Sequence, residues 1–301
     1  MATFQTRVQG ITGLTISTSG TSPTEAELTE FLKDGVIDVT NKFLAIDPNM
    51  ALKFVRSSSE KTGQAEFNAN DGLVLNVVRE AGTNNDWREC TLGNTAYQSR
   101  YTDIESLHYA SKFNPRYIIG DDSSILTFPA PASGGADSYK VYYVNLDPVN
   151  SSDAELAYSH SDLNYFPKDK VYLVVIYACI RSLDNALSAK KAPDVAGDGT
   201  ELTGVSSLDT DDTVDVHADQ IELDQWWSTA GHFIEGEEDN ELAAAQLQKI
   251  AAYIQGYQTQ LQGNSAEYSW MEARKQLLQL QYNDAFGLLA QKERGKKEYE
   301  G

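Results

Sequence analysis

Histidine and cysteine are the residues of this chain best suited to metal binding and nucleophilic chemistry. The histidines are His108, His160, His217 and His232, and the cysteines are Cys90 and Cys179. No histidine stands in the i, i+4 pair with a glutamate that zinc peptidases use. His217 and His232 lie in an acidic part of the chain, where a metal site is the alternative to solvated or capping side chains. Cys179 lies in a strongly apolar stretch, where a thiol is usually a small core residue.

The acidic run from Asp209 to Asp215 has some of the spacing of a calcium-binding loop but lacks two of its requirements. The position that needs glycine for a sharp turn is Val214, and the position of the bidentate glutamate is Gln220. A solvated acidic loop is favoured, with a weak cation site as the alternative. Residues 197–199 lack the strand and the spacing of a phosphate-binding fingerprint. We therefore expect no cofactor and no enzymatic activity.

Acidic residues dominate one part of the chain. Of 301 residues, 44 are Asp or Glu and 24 are Lys or Arg, which gives a formal net charge of −20. Residues 194–241, here called the acidic stretch, contain 15 Asp or Glu and no Lys or Arg, so they carry −15 of that charge. This balance argues against a protein that reads nucleic-acid sequence, because such proteins present a basic face. Within the stretch, Trp226 and Trp227 are either core contacts or interface anchors, since Trp is enriched in binding hot spots.

The N-terminal region, rich in Thr, Ser and Gly, predicts an extended arm over the first twenty residues. Ser22, Pro23 and Glu25 then predict a helix start with a capping box. Apolar residues follow at helical spacing. Asp47-Pro48 is expected to end this helix, because the residue before a proline disfavours the helical region.

Short β-branched and aromatic runs predict strands between residues 50 and 165. The predicted strands are 51–56, 73–79, 116–119, 124–128 and 139–144. Gly120-Asp121-Asp122 predicts a hairpin, and the loop 129–138 is predicted to be a turn or a flexible finger. The pattern over 102–111 is ambiguous, with a short helix as one interpretation. This part of the chain is therefore predicted to be a small antiparallel β unit.

The helical period returns after Phe166-Pro167. Residues 171–187 are apolar nearly all round, which predicts a buried helix. Two further helices are predicted over 241–262 and 266–292, with a break at 263–265. The apolar run over 171–180 is shorter than the ~20 residues that a bilayer span needs, and the N-terminus lacks signal-peptide features. We therefore expect a soluble protein of a reducing compartment, with no membrane partner.

These elements predict an α+β fold class, a helical bundle with long C-terminal helices and an inserted small antiparallel β domain. Its segments are an arm and first core helix (1–48), the β domain (49–165), and a helical core with the acidic insertion 194–241 and a C-terminal docking tail (166–301).

Several segments resemble virion structural proteins of tailed bacteriophages. The segment from Phe166 to Leu187 is similar to a helix of such proteins, and Thr24 to Gly35 resembles the opening helix of head–tail connector proteins. Three segments of the β unit are also similar to such proteins: 114–119, 126–131 and 141–144. The likeness continues through residues 219–241 and the closing helices, so it covers nearly the whole chain. The chain thus resembles the head–tail connector, or portal adaptor, family of phage neck proteins.

The resemblance implies a structural protein that forms an adaptor ring, a homo-oligomer of twelve subunits, between the portal and the tail. Its implied partners are copies of itself, the portal protein and further neck or tail proteins, with DNA only as passing cargo. Its implied place is the neck of the virion, after synthesis in the host cytoplasm. The acidic stretch exceeds a minimal adaptor, which leaves open a portal-facing adaptor, a lower neck component or a tail nozzle. The alternatives are another tail or capsid-associated structural protein and, less favoured, a soluble enzyme.

Two groups of charged residues are predicted to make contacts in such a ring. Four basic residues after Leu289 are predicted to dock into the portal, with a frayed, solvated end as the alternative: Lys292, Arg294, Lys296 and Lys297. Eight acidic residues are predicted to form either a channel wall that repels DNA or a face that pairs with a basic patch on a neighbour. They are Asp209, Asp211, Asp212, Asp215, Glu235, Glu237, Glu238 and Asp239.

Overall fold

A computed structural model describes residues 2–68, 72–82, 86–131, 137–190, 230–234 and 240–299, without the side chains of 253, 257, 260 and 288–299. The fold is α+β, with a long C-terminal helix and a small antiparallel sheet, which confirms the predicted fold class. The chain packs as two compact units, Met1–Ser182 with Leu278–Gly301, and Leu183–Leu277. The segments predicted over 1–48 and 49–165 both lie within the first unit.

Helix α1 spans Phe4–Thr12, in the region where the sequence predicted an extended arm. Phe4 and Val8 lie one turn apart and are fully buried. The amide of Phe4 donates to the carbonyl oxygen of His160 at 2.8 Å, which provides a partner for a group that has none within its own helix. Gly13 ends the helix in the left-handed conformation, with φ of 72°. The prediction of an extended arm is therefore wrong, because two apolar side chains and capped ends are enough to dock a short, otherwise polar helix.

Helix α2 spans Glu25–Ile46 and begins two residues later than predicted. Thr24, not Ser22, is the N-cap and forms the capping box with Glu27. This start places Glu25 and Glu27 in the first turn, where carboxylates interact favourably with the helix dipole. Asp47 ends the helix in an extended conformation, which confirms the predicted C-terminus.

Helix α4 spans Val171–Ala189 and packs closely against α2 within the first unit. A Cβ atom on Gly35 of α2 would lie 3.0 Å from the ring of Tyr177 on α4, so glycine permits this close approach. Leu173 and Val174 are fully buried, which confirms the predicted buried helix, although Tyr172 is 45% exposed. The helix with its preceding turn, residues 168–189, is long and apolar enough to cross a membrane, and half of its most apolar window is buried in the structure.

The larger sheet has four antiparallel strands in the order β1-β7-β2-β3. The strands are β1 (Val55–Ser57), β2 (Val74–Glu80), β3 (Trp87–Glu89) and β7 (Tyr139–Val144). The strand predicted over 51–56 is mostly wrong, because Pro48–Lys53 forms a 3₁₀ helix that continues from the end of α2. Strand β3 was missed because it has three residues, two of them charged.

The smaller sheet has three strands in the order β4-β5-β6. They are β4 (Thr91–Leu92), β5 (Arg116–Ile119) and β6 (Ile125–Phe128). Strands β5 and β6 form the predicted hairpin, whereas β4 runs parallel to β5. Between β4 and β5 the chain forms a 3₁₀ turn at Thr95–Tyr97 and helix α3 at Gln98–Thr102. The short helix considered for 102–111 therefore lies mostly before that segment.

A side chain covers the outer edge of β6. The amide nitrogen of Gln64 donates to the carbonyl oxygen of Thr127 at 2.7 Å, and its amide oxygen accepts from the Thr127 amide at 3.1 Å. Next to it, the amide of Ile125 donates to the carbonyl oxygen of Phe67 at 2.9 Å. The backbone groups of this edge are thus paired within the chain.

Helix α5 spans Asn240–Tyr299 without interruption, a length of about 90 Å. The break predicted at 263–265 is wrong, because one glycine inside a helix costs only about 1 kcal/mol relative to alanine. In the second unit, Lys275 of α5 forms an ion pair with Asp184 of α4 at 2.7 Å. Ile250 of α5 is also buried.

In the first unit, the C-terminal half of α5 packs on α2 through a polar contact and an aromatic contact. The hydroxyl of Tyr282 donates to a carboxylate oxygen of Asp38 at 2.5 Å, and Lys42 lies 2.8 Å from the same oxygen. Two donors thus converge on one carboxylate oxygen, and the Lys42 ammonium also lies 4.4 Å from the Tyr282 ring centre. The rings of Phe286 and Phe43 lie 5.3 Å apart.

The substitution Phe4→Ala tests the docking of α1. It is expected to lower the free energy of unfolding by about 3–5 kcal/mol, because it removes a fully buried ring and leaves a cavity. Thr15→Ala, at an exposed position, is the control and should change stability by less than about 0.5 kcal/mol. Urea unfolding measures both. Equal, small effects of the two substitutions would mean that α1 is not docked.

The substitution Tyr282→Phe tests the polar contact between α5 and α2. It is expected to lower the free energy of unfolding at neutral pH by about 1–3 kcal/mol, because a hydrogen bond to a carboxylate is lost. Burial and the neighbouring Asp38 carboxylate raise the pKa of Tyr282 above its ordinary value of about 10. As pH rises past about 10, the unfolded chain therefore loses this proton first, and the stabilisation by the phenol decreases.

The stability difference between wild type and Tyr282→Phe should then shrink by up to about 1.4 kcal/mol per pH unit above pH 10. Urea unfolding over a pH series measures it. Tyr268→Phe, where the side chain is 47% exposed, is the control. A difference that stays constant above about pH 10 would contradict the role given to the Tyr282 proton.

Candidate assembly surface

Residues 91–119, here called the lobe, expose large apolar side chains. The exposed members are Leu92, Tyr97, Ile104, Leu107, Tyr109, Phe113 and Ile119. Leu107 is fully exposed, Ile104 is 73% exposed and Phe113 is 62% exposed. Single exposed apolar residues are ordinary, but a concentration of them on one segment is typical of a surface that contacts another molecule.

Tyr101 holds the lobe in a defined conformation. Its ring is buried with Ala110, Ile118 and Phe128. Its hydroxyl accepts from the backbone amide of Asn94 at 2.7 Å and donates to the carbonyl oxygen of the same residue at 3.1 Å. The apolar side chains are therefore displayed by an ordered scaffold.

Basic side chains of the lobe lie over aromatic rings. The guanidinium of Arg100 is 5.2 Å from the ring centre of Tyr97. That ring in turn stacks on His108 at 4.8 Å, with 7° between the planes. The ammonium of Lys112 is 5.1 Å from the ring centre of Phe113. Such cation–π contacts orient the charged groups and are worth about 0.5–1 kcal/mol each at exposed sites.

Three cations of the lobe have no acidic partner in the described part of the chain. Among the residues that the structure describes, no carboxylate lies within ion-pair distance of Arg100, Lys112 or Arg116, whereas the neighbouring Arg88 pairs with Asp86 at 3.1 Å. Residues 106–119 contain no Asp or Glu. Lys112 and Arg116 thus lie in a run without acidic residues, while Asp103 and Glu105 belong to an earlier part of the same lobe.

A shallow, open depression lies on the surface of the lobe. It is lined by Thr95, Ala96, Gln98, Ser99, Thr102 and Phe128. This lining offers hydroxyl and amide groups around one ring but no carboxylate, imidazole, amine or thiol. Its lining residues include no side chain that titrates near neutral pH.

The cysteines are placed as core residues. Burial raises the pKa of Cys90 to about 12, so its reactive thiolate is almost absent at neutral pH. Cys179 is fully buried in α4, which confirms the prediction of a core thiol. Within the described parts of the chain, no group of three or more His, Cys, Asp or Glu side chains is placed to hold a metal ion.

Arg79 fixes the base of the loop 129–138. Its side chain is 2% exposed and donates to the carbonyl oxygens of Pro129 at 2.8 Å and Ala130 at 3.3 Å. Its guanidinium also lies 3.8 Å from the carboxylate of Asp137, at the other end of the loop. The finger predicted here thus has a rigid base, while residues 132–136 lie outside the described part of the chain.

Most of the site residues predicted from the sequence lie outside the described residues. These are Trp226, Trp227, Asp209, Asp211, Asp212, Asp215, Glu235, Glu237, Glu238 and Asp239. The side chains of Lys292, Arg294, Lys296 and Lys297 also lie outside, but their backbone belongs to α5. The backbone of the predicted docking tail is therefore helical as far as Tyr299.

The lobe could not be recognised from the periodicity of the sequence, because its apolar and basic residues follow neither a helical nor a strand period. The available signal was the alternation of aromatic and basic residues from Tyr97 to Tyr117, combined with the absence of acidic residues over 106–119. No protein-family model matches the chain, and no curated protein matches it.

The substitution Tyr101→Phe tests the scaffold of the lobe. It removes the hydroxyl that holds both backbone groups of Asn94, and losing these bonds is expected to make local opening easier by about 1–3 kcal/mol. Hydrogen exchange of the Asn94 amide should therefore accelerate by about tenfold or more. Tyr109→Phe, at a partly exposed ring, is the control and should leave that amide unchanged. Equal exchange in both variants would show that Tyr101 does not hold the lobe.

Proposed function

We propose that the chain is a structural protein of a tailed bacteriophage that forms an adaptor ring between the portal and the tail. Its partners in this proposal are copies of itself, the portal protein and neighbouring neck or tail proteins. DNA passes through the ring as cargo, and the protein catalyses no reaction. The site of action is the neck of the virion.

The lobe carries this proposal. An ordered segment that exposes side chains such as Leu107, Ile104 and Phe113 is typical of a subunit whose surface is covered on assembly. The shallow depression on the lobe has no titratable side chain among its lining residues, which fits a contact surface better than an active site.

Helix α5 is a second support. It is about 90 Å long, and in residues 240–277 it leaves large apolar side chains exposed. They are Leu242, Leu247, Ile254, Tyr268, Trp270 and Leu277, each at least 39% exposed. A helix that is apolar on more than one side needs partners on more than one side. Together with the resemblance to connector proteins, this favours a subunit of a larger assembly.

The mass of the protein alone and with a portal tests the proposal. Twelve copies of the 33.2 kDa chain have a mass of about 400 kDa, which light scattering distinguishes from a monomer. Negative-stain microscopy should show closed rings. Monomers at high concentration, in the presence of portal, would exclude an adaptor ring. A stable oligomer that ignores the portal would instead indicate another component of the virion.

A chain ending at Ala290 tests the predicted docking tail. It retains Tyr282 and Phe286, which pack on α2, so it should keep the thermal stability of the full chain. It lacks the four basic residues after Leu289 and should therefore lose attachment to the portal. The full-length variant with Lys292, Arg294, Lys296 and Lys297 changed to Gln separates loss of charge from loss of length. Unchanged portal binding by the truncated chain would refute the tail as the docking element.

A further inference from the structure

We propose that the lobe of one copy binds the acidic stretch of the neighbouring copy. This inference rests on the proposed function, since it names the contact by which subunits of a ring would join. The partner of the lobe is then a second copy of this chain.

Charge complementarity is the first argument. Arg100, Lys112 and Arg116 have no carboxylate within ion-pair distance among the described residues, and aromatic rings hold their positive groups in place. The acidic stretch contains 15 acidic residues without a single Lys or Arg, so its charges repel one another until a cationic surface approaches. The lobe has three cations against its own Asp103 and Glu105, and these cations are the groups with which the acidic stretch can pair.

Apolar complementarity is the second argument. The lobe exposes Ile104, Leu107 and Phe113, and a shallow depression lies on its surface. Trp226 and Trp227 give the acidic stretch two large rings among its carboxylates. Contacts that combine a buried aromatic anchor with surrounding charge pairs are the usual composition of a specific interface. DNA would match the cations of the lobe but would leave its aliphatic side chains uncovered.

The symmetry of the contact favours a neighbouring copy over the same copy. The lobe and the acidic stretch are different surfaces, so each subunit offers one of each and the contact is heterologous. Repetition of such a contact around an axis closes a ring. Binding within one chain would instead occupy both surfaces, so that neither could contact a neighbouring subunit. The adaptor ring needs a contact of this kind.

Charge reversal in the full-length chain tests the inference. The lobe variant is Arg100→Glu with Lys112→Glu, and the stretch variant is Asp209→Lys with Asp211→Lys and Asp212→Lys. Arg100 and Lys112 are exposed, so the fold should persist. Each variant alone should self-associate at least tenfold more weakly than wild type by sedimentation velocity. An equimolar mixture should recover association in part, because the glutamates introduced into the lobe then meet the lysines introduced into the acidic stretch. Lys53→Glu with Lys168→Glu, both exposed, applies the same charge change elsewhere and should have no effect.

The outcomes separate this contact from the proposed ring. Undiminished association of the lobe variant would overturn the inference while leaving the ring intact. A chain that carries both sets of substitutions is compared with the mixture. If association returns in that chain but not in the mixture, the lobe binds the acidic stretch of its own chain, and the inference is overturned. A labelled DNA duplex at about 0.15 M salt tests the alternative partner. If wild type binds the duplex and the lobe variant does not, the lobe is a nucleic-acid contact instead. A wild-type chain that stays monomeric, alone and with portal, would count against the ring itself.

Discussion

Four phenylalanine rings meet where the helices pass into the β unit, and the first unit is organised around them. Phe43 lies on α2, Phe54 follows that helix at the entrance to β1, Phe166 stands where the chain returns towards α4, and Phe286 lies on α5. Phe54 and Phe166 are 5.3 Å apart, so the two ends of the inserted β unit are tied to one point. Because Phe43 contacts both Phe54 and Phe286, the same cluster fixes the C-terminal helix on α2. Aromatic pairs at these distances add about 0.5–1.5 kcal/mol each beyond the area they bury.

The elements that could be predicted were those whose residues repeat a pattern over many positions. Helices α2 and α4 follow from apolar spacing, and the β5–β6 hairpin follows from its turn residues. Helix α1 could not be predicted, because its stability comes from a tertiary site for Phe4 and from the carbonyl of a residue 156 positions away, His160. The uninterrupted course of α5 past Gly263 was missed for a similar reason. Gly263 lowers the stability of the helix by about 1 kcal/mol relative to alanine. The backbone hydrogen bonds of the long continuous helix contribute more than this cost.

The place of the candidate site could not be predicted from the sequence. Composition favoured a protein that makes contacts and performs no chemistry, which stays a prediction, and the burial of Cys90 and Cys179 shows only that these two thiols are core residues. The lobe itself depends on Tyr101, whose hydroxyl bonds only once Asn94 and Gly93 are folded against it. No periodicity marks such a turn. The burial of Arg79 could not be predicted from the sequence either, because its partners are backbone carbonyls that only the fold brings close.

The side chain of Gln64 has a consequence for how copies of this chain can meet. An exposed sheet edge accepts almost any extended strand, since backbone pairing does not depend on sequence, and it is a common start of aggregation. At β6 the Gln64 amide fills the donor and acceptor of Thr127, and Phe67 supplies a further acceptor. This edge therefore cannot recruit a foreign strand without first losing bonds it already has. At this edge, contacts between copies therefore depend on side-chain shape and charge and not on backbone pairing.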